Sequence, residues 1–143
     1  MKIELSFPSS HIFLGVPDAV LQELGSELSF SQTELDELST SVIEACTNAL
    51  EHGNGLQADR PVQVEIDFDP GKIQVTIFDE GRGFDFENID FSQEPADLMQ
   101  ERGRGIYIMY TYCDELSFHR SNGGFAVRLV KTHKDEAPAP AGG

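Results

Sequence analysis

The sequence predicts an α+β fold: a two-layer sandwich in which a mostly antiparallel mixed β-sheet carries helices on one face. Two pairs of apolar stretches fold back through turn residues: VQVEIDF (62–68) with IQVTIF (73–78) around DPGK, and ELSF (115–118) with FAVRLV (125–130) around SNGG. A further alternating stretch, IELSF at 3–7, opens the chain. Segments of helical periodicity lie between these strands.

Each element has a local reason. Alternation of apolar and polar side chains puts one face of IELSF inward, and Pro8 with the serines after it ends that strand. From Pro17 to about Leu28, Val20, Leu21, Leu24 and Leu28 recur at helical spacing, with Pro17 and Asp18 suited to a first turn and a weakening or interruption expected at Gly25. SQTELDELSTSVIEACTNALEHGNG is the clearest helix. Ser31 or Thr33 serves as N-cap, Glu34, Asp36 and Glu37 lie near the positive end of the dipole, and Gly53 to Gly55 stop it. The two hairpins follow from their turns. Between them lies a charged, glycine-rich stretch, then IYIMYTY at 106–112, a short helix. The Pro/Gly-rich end of the chain predicts a disordered tail at 134–143 after one domain at 1–133.

Bulk properties narrow the function. The net charge is −15, and no Lys or Arg occurs between Lys2 and Arg60, so a direct nucleic-acid ligand is not expected. No apolar run approaches the ~18 residues of a membrane span, and MKIELSF has no signal-peptide pattern, which makes the cytoplasm the expected location. Cys46 and Cys113 sit in apolar surroundings without metal-type neighbours, and read as reduced, buried side chains.

The long helix poses the functional question. Leu38, Val42, Ala45 and Ala49 fall within a stripe roughly 60° wide, a core face. Glu44 and Asn48 lie about 40° apart on the side away from it. A solvated face explains Glu44 by itself. Asn48 fits less well, because its amide competes for backbone hydrogen bonds inside a strong helix. His52 is explained by the negative end of the helix dipole.

Two glycine motifs supply context. DEGRGFD follows the strand IQVTIF, so Asp79 stands at a strand end with Gly81 and Gly83 beyond it. A carboxylate there can accept a hydrogen bond from an exocyclic amine such as that of adenine, and the glycines let a flat ligand approach the backbone. RGRG at 102–105 precedes the apolar helix, where free N–H groups and two arginines suit phosphates. Each motif also has a bland reading, as an ordinary turn or a loop entering a helix.

Together, E-A-x-x-N-A-x-x-H-G, then D-x-G-x-G after a strand, then G-x-G before a helix resemble the N-box and the two glycine boxes of the GHKL (Bergerat-fold) ATPases, which include gyrase and the histidine kinases. EACTNALEHGN looks closest to the bacterial anti-sigma factor serine/threonine kinases, the single-domain branch, and the resemblance spans roughly 3–131.

That resemblance implies an ATP- and Mg²⁺-dependent serine protein kinase. It would bind a sigma factor and phosphorylate a serine of an anti-anti-sigma (STAS-type) antagonist, and the resemblance also implies a homodimer. Glu44 would orient and deprotonate the attacking hydroxyl; Asn48 would bind the Mg²⁺ that bridges the ATP phosphates; Asp79 would recognise the adenine amine, with Gly81 and Gly83 shaping the base pocket. Gly103 and Gly105 would wrap the phosphates beneath a lid at about 86–102, and Arg102 and Arg104, by charge and location, would help neutralise them. Phosphoryl transfer is mainly positioning and electrostatics, so this small set of groups suffices. Two departures stand out. The last strand opens Gly124-Phe125 where the family has Gly-Thr, which leaves adenine recognition leaning on Asp79, and basic residues are missing from 3–59. The alternative function is a nucleotide-gated binding module without kinase activity.

Overall fold

The structure, a computed structural model, describes residues 1–89 and 103–134. The chain runs β1 (Lys2–Phe7), α1 (Gly15–Glu27), α2 (Gln32–Asn48), a π-helical turn (Ala49–Gly53), β2 (Val62–Asp69), β3 (Lys72–Asp79), α3 (Gly103–Tyr112), β4 (Glu115–Ser121) and β5 (Gly124–Thr132). The five strands form one sheet in the order β1-β2-β3-β5-β4. All four pairings are antiparallel, so the mixed character expected of the sheet is not present among the described residues.

Both hairpins form as their turns require. Asp69 pairs with Lys72, and the Asp69 carboxylate accepts a 2.9 Å hydrogen bond from the Gly71 N–H, an Asx turn that closes the two-residue loop. Ser121 pairs with Gly124 around Asn122-Gly123.

Strand register sorts the side chains. Phe7, Val62, Ile77 and Val127 fall on the helix-facing side with Val64, Ile66, Ile73, Val75 and Leu129, and all are buried. Glu65, Thr76, Arg128 and Ser117 align across the other face, which is therefore largely polar. The helices lie over the apolar side. α2 packs on β3 and β5, with α1 and α3 beside it.

Ser31 is the N-cap of α2. Its hydroxyl accepts from the Glu34 N–H at 3.1 Å and the Glu34 carboxylate accepts from the Ser31 N–H at 2.8 Å, a complete capping box. Gly25 does not interrupt α1. A Cβ there would lie 2.2 Å from Leu35 Cδ1, so the missing side chain lets α1 and α2 cross closely. α3 starts three residues earlier than the apolar pattern suggests, at Gly103, and so takes the G-x-G glycines into its first turn. Cys46 is buried and Cys113 partly so, and both are free thiols. Burial pushes the Cys46 thiol up to about 12. No helix among the described residues is long and apolar enough to cross a membrane. Of the expected tail only Lys134 is described; its ammonium pairs with Asp114 at 3.0 Å.

Candidate functional site

The end of α2 is where the local geometry changes. Beyond Asn48 the chain widens into the π turn: the Asn54 N–H donates to the Ala49 carbonyl at 2.8 Å and the Leu56 N–H to the Leu50 carbonyl at 2.7 Å. Such turns concentrate at functional sites because they redirect a helix end without breaking it. Here the turn brings Gly53 against the end of β3. A Cβ on Gly53 would stand 2.3 Å from the carboxyl carbon of Asp79, and one on Gly81 would stand 2.5 Å from the Gly53 carbonyl oxygen.

Asp79 ends β3 and is 8% exposed. Its Oδ1 accepts a 2.7 Å hydrogen bond from the Gly81 N–H, which folds the D-x-G turn around the carboxylate. Gly83 adopts φ +76°, and Phe125 occupies the space a side chain would need: a Cβ would meet its ring at 2.2 Å. Phe125 pairs directly with Asp79 across β3 and β5, so both project to the helix-facing side.

Glu44 and Asn48, one turn apart and half-buried, face the first turn of α3. A Cβ on Gly105 would lie 2.9 Å from Glu44 Oε2 and 3.4 Å from Asn48 Nδ2. The flank of α2 that periodicity alone assigned to solvent is thus covered by the first turn of a helix, whose N–H groups and partial positive charge suit anionic oxygens. Arg104 is exposed on the same turn, and Gly103 opens it. Arg102 and residues 90–102 of the expected lid lie outside the described residues.

The described start of that lid segment is anchored. The Arg120 guanidinium stacks 4.9 Å from the Phe86 ring centroid, donates to the Glu87 carboxylate at 2.8 Å and donates to the Phe84 carbonyl at 2.9 Å. Phe84, Phe86 and Phe118 surround Phe125 with ring centroids at 5.4, 5.8 and 6.1 Å.

The predicted residues therefore fall into two neighbouring groups. Glu44, Asn48 and Gly105 meet at the start of α3, and Asp79 and Gly81 meet at the end of β3, with the π turn linking Asn48 to Gly53 between them. Sequence reasoning missed Asn54 and the role of Gly53, because GNG after a helix signals only a stop. It also gave no sign that Phe125 anchors an aromatic cluster. The available signal was FDF at 84–86, whose two phenylalanines both turn to that cluster.

The architecture and sequence both have known counterparts. The chain is 28% identical over 135 residues to the serine-protein kinase RsbW of Bacillus velezensis and likewise to that of Bacillus subtilis, covering 90% of this chain and 84% of each relative. Two solved structures share the fold. The SiaB-SiaC complex from Pseudomonas aeruginosa matches with TM-score 0.69 at 16% identity, over 90% of this chain and 89% of that one. The RsbU and RsbW domains of Rv1364c from Mycobacterium tuberculosis match with TM-score 0.66 at 14% identity, over 96% of this chain and 34% of that one. Residues 17–131 match the histidine kinase-like ATPase domain, and the chain belongs to that family.

Proposed function

We propose that this protein is an ATP- and Mg²⁺-dependent serine protein kinase and anti-sigma factor, which binds a sigma factor and phosphorylates a serine of an anti-anti-sigma (STAS-type) protein. The observation that carries the reading is the meeting of Glu44 and Asn48 with the first turn of α3, beside the carboxylate cradle at Asp79. Similarity to the RsbW serine-protein kinases over 90% of the chain supports the reaction type. The SiaB-SiaC complex supports a protein partner, and a homodimer belongs to the same proposal.

Asp79 accepts a hydrogen bond from the exocyclic amine of adenine, with Gly81 and Gly83 bounding the base. The Gly103 and Gly105 backbone, with Arg102 and Arg104, holds the phosphates. Among the described residues no group of three His, Cys, Asp or Glu side chains could hold a metal by itself. Mg²⁺ nonetheless fits, since it keeps several waters and needs few protein groups beside the phosphates, and the half-buried Asn48 amide stands at the first turn of α3, its Nδ2 3.4 Å from the place of a Cβ on Gly105. When bound, it neutralises charge on the phosphate oxygens. Glu44, one turn before Asn48, accepts the proton of the serine hydroxyl as that oxygen bonds to the γ-phosphorus. The bond from the γ-phosphorus to the β,γ-bridging oxygen breaks, and ADP leaves.

Glu44→Gln tests the assignment. It removes the base while keeping size and polarity, so labelled-phosphate transfer to an antagonist serine should fall at least ~100-fold while ATP binding stays within a few-fold of wild type. Equal transfer by both proteins would exclude Glu44 as the base. ATP binding without transfer by the wild type would favour the nucleotide-gated binding module.

A further inference from the structure

We infer that Asn54 is a positioning residue that fixes the direction of the Asp79 carboxylate and so sets nucleobase discrimination; this rests on reading Asp79 as the acceptor for the adenine amine. Asn54 is completely buried directly after the π turn, and its amide is fully engaged. Nδ2 donates to Ser9 Oγ at 3.0 Å and to the Arg60 and Pro61 carbonyls, both at 3.1 Å. Oδ1 accepts from the Glu80 N–H at 2.8 Å. A single side chain thereby joins the segment after β1, the approach to β2 and the exit from β3.

The bond to Glu80 is the one that reaches the site. The Glu80 N–H belongs to the peptide that follows Asp79, so holding it fixes that peptide plane and places the next N–H along the chain, that of Gly81, which grips Asp79 Oδ1. The neighbouring contacts act in the same sense. Gly53, immediately before Asn54, packs its Cα on the Asp79 carboxyl, and the Gly81 N–H donates to Oδ1. The two N–H groups of Nδ2, shared among these three acceptors, point away from the site and tie down the scaffold. They separate a structural contribution from a positioning one, because Ser9 belongs only to that side. Ser9 Oγ accepts from Asn54 and donates to the Arg60 carbonyl at 2.5 Å, with no bond to Glu80.

Inosine triphosphate is the discriminating ligand. It carries the same phosphates and ribose as ATP, but its six-position presents an acceptor to Asp79 in place of a donor. Dissociation constants for Mg-ATP and Mg-ITP would be measured by calorimetry on wild type, Asn54→Ala and Ser9→Ala, with a melting curve for each. Wild type should prefer ATP by about tenfold or more, the worth of one well-made hydrogen bond to a charged group. Asn54→Ala should bring the ratio to within about twofold by weakening ATP and sparing ITP. Ser9→Ala should lower the melting temperature and keep the wild-type ratio. Asn54→Ser, polar but too short to span to Glu80, carries the same test if the alanine variant does not fold. Equal loss of both nucleotides in the Asn54 variants, or an unchanged ratio, would overturn the inference. A wild type indifferent between ATP and ITP would instead overturn the reading of Asp79 itself.

Discussion

Glu44 and Asn48 differ from Thr40 and Thr47, the threonines on the same stretch of α2, in what stands opposite them. Thr40 turns back on its own helix, donating to the Asp36 carbonyl at 2.7 Å, and Thr47 does the same toward Ile43. Glu44 and Asn48 instead face Gly105 on a separate helix. Gly105→Ala isolates that arrangement. Alanine is the better helix former by up to ~1 kcal/mol, so the variant should fold with equal or slightly raised stability in urea denaturation. Its Cβ would sit 2.9 Å from Glu44 Oε2, the mobile end of a long side chain that can swing aside. On the proposed role of Glu44 as the base, phosphate transfer should therefore drop at least ~10-fold, because its carboxylate is displaced from hydrogen-bonding position. Full activity in this variant would mean that the separation of Glu44 from α3 does not matter to the chemistry.

At the scale of elements, α2 works from both ends. Its C-terminal end carries the proposed site residues Glu44 and Asn48, and its N-terminal end fastens the last strand. The Glu34 carboxylate accepts from the Ser31 N–H, from His133 Nδ1 at 2.8 Å and from the Lys134 N–H at 2.9 Å. Partial burial works to raise its pKa, but these hydrogen bonds and the nearby His133 charge outweigh it and hold the carboxyl at about 2, against an ordinary value of 4.5. Since the folded value is the lower one, unfolding takes up a proton in acid. The stabilisation is complete above about pH 4.5 and is lost as pH falls toward about 2. Urea midpoints measured between pH 5 and pH 3 should decline in wild type and decline less steeply in Glu34→Gln. The same end carries a second tie, from Lys131 Nζ to Glu37 at 2.6 Å.

For the whole molecule, Phe125 stands where the resemblance read from the sequence led to a Thr. The family residue cannot be restored simply by exchanging the side chain. Phe125 is 1% exposed and joins β5 to Phe118 of β4 and to Phe84 and Phe86 after Gly83. Phe125→Thr should cost ~3 kcal/mol in denaturant titration, because it opens a cavity among three rings and places a hydroxyl there. A cost below ~1 kcal/mol would show that the cluster collapses around the smaller residue. Much of the architecture was legible beforehand, since strand alternation, the DPGK and SNGG turns and the Ser31-Glu34 cap are signals carried by neighbouring residues. So was the pairing of Glu44 with Asn48, which helical spacing dictates. The all-antiparallel order of the sheet was not legible, nor was the burial of Gly25 against Leu35, because both depend on partners distant in the chain. The site divides along the same line. By itself the sequence determined which residue types stand at helix and strand ends and their order along the chain. Only the tertiary structure decided that α3 lies over Glu44 and Asn48, that a π turn carries Gly53 to Asp79, and that Asn54 bridges Ser9, Arg60 and Glu80. Those contacts join residues up to 61 positions apart, from Glu44 to Gly105, and arise from the packing of the layers rather than from any local propensity.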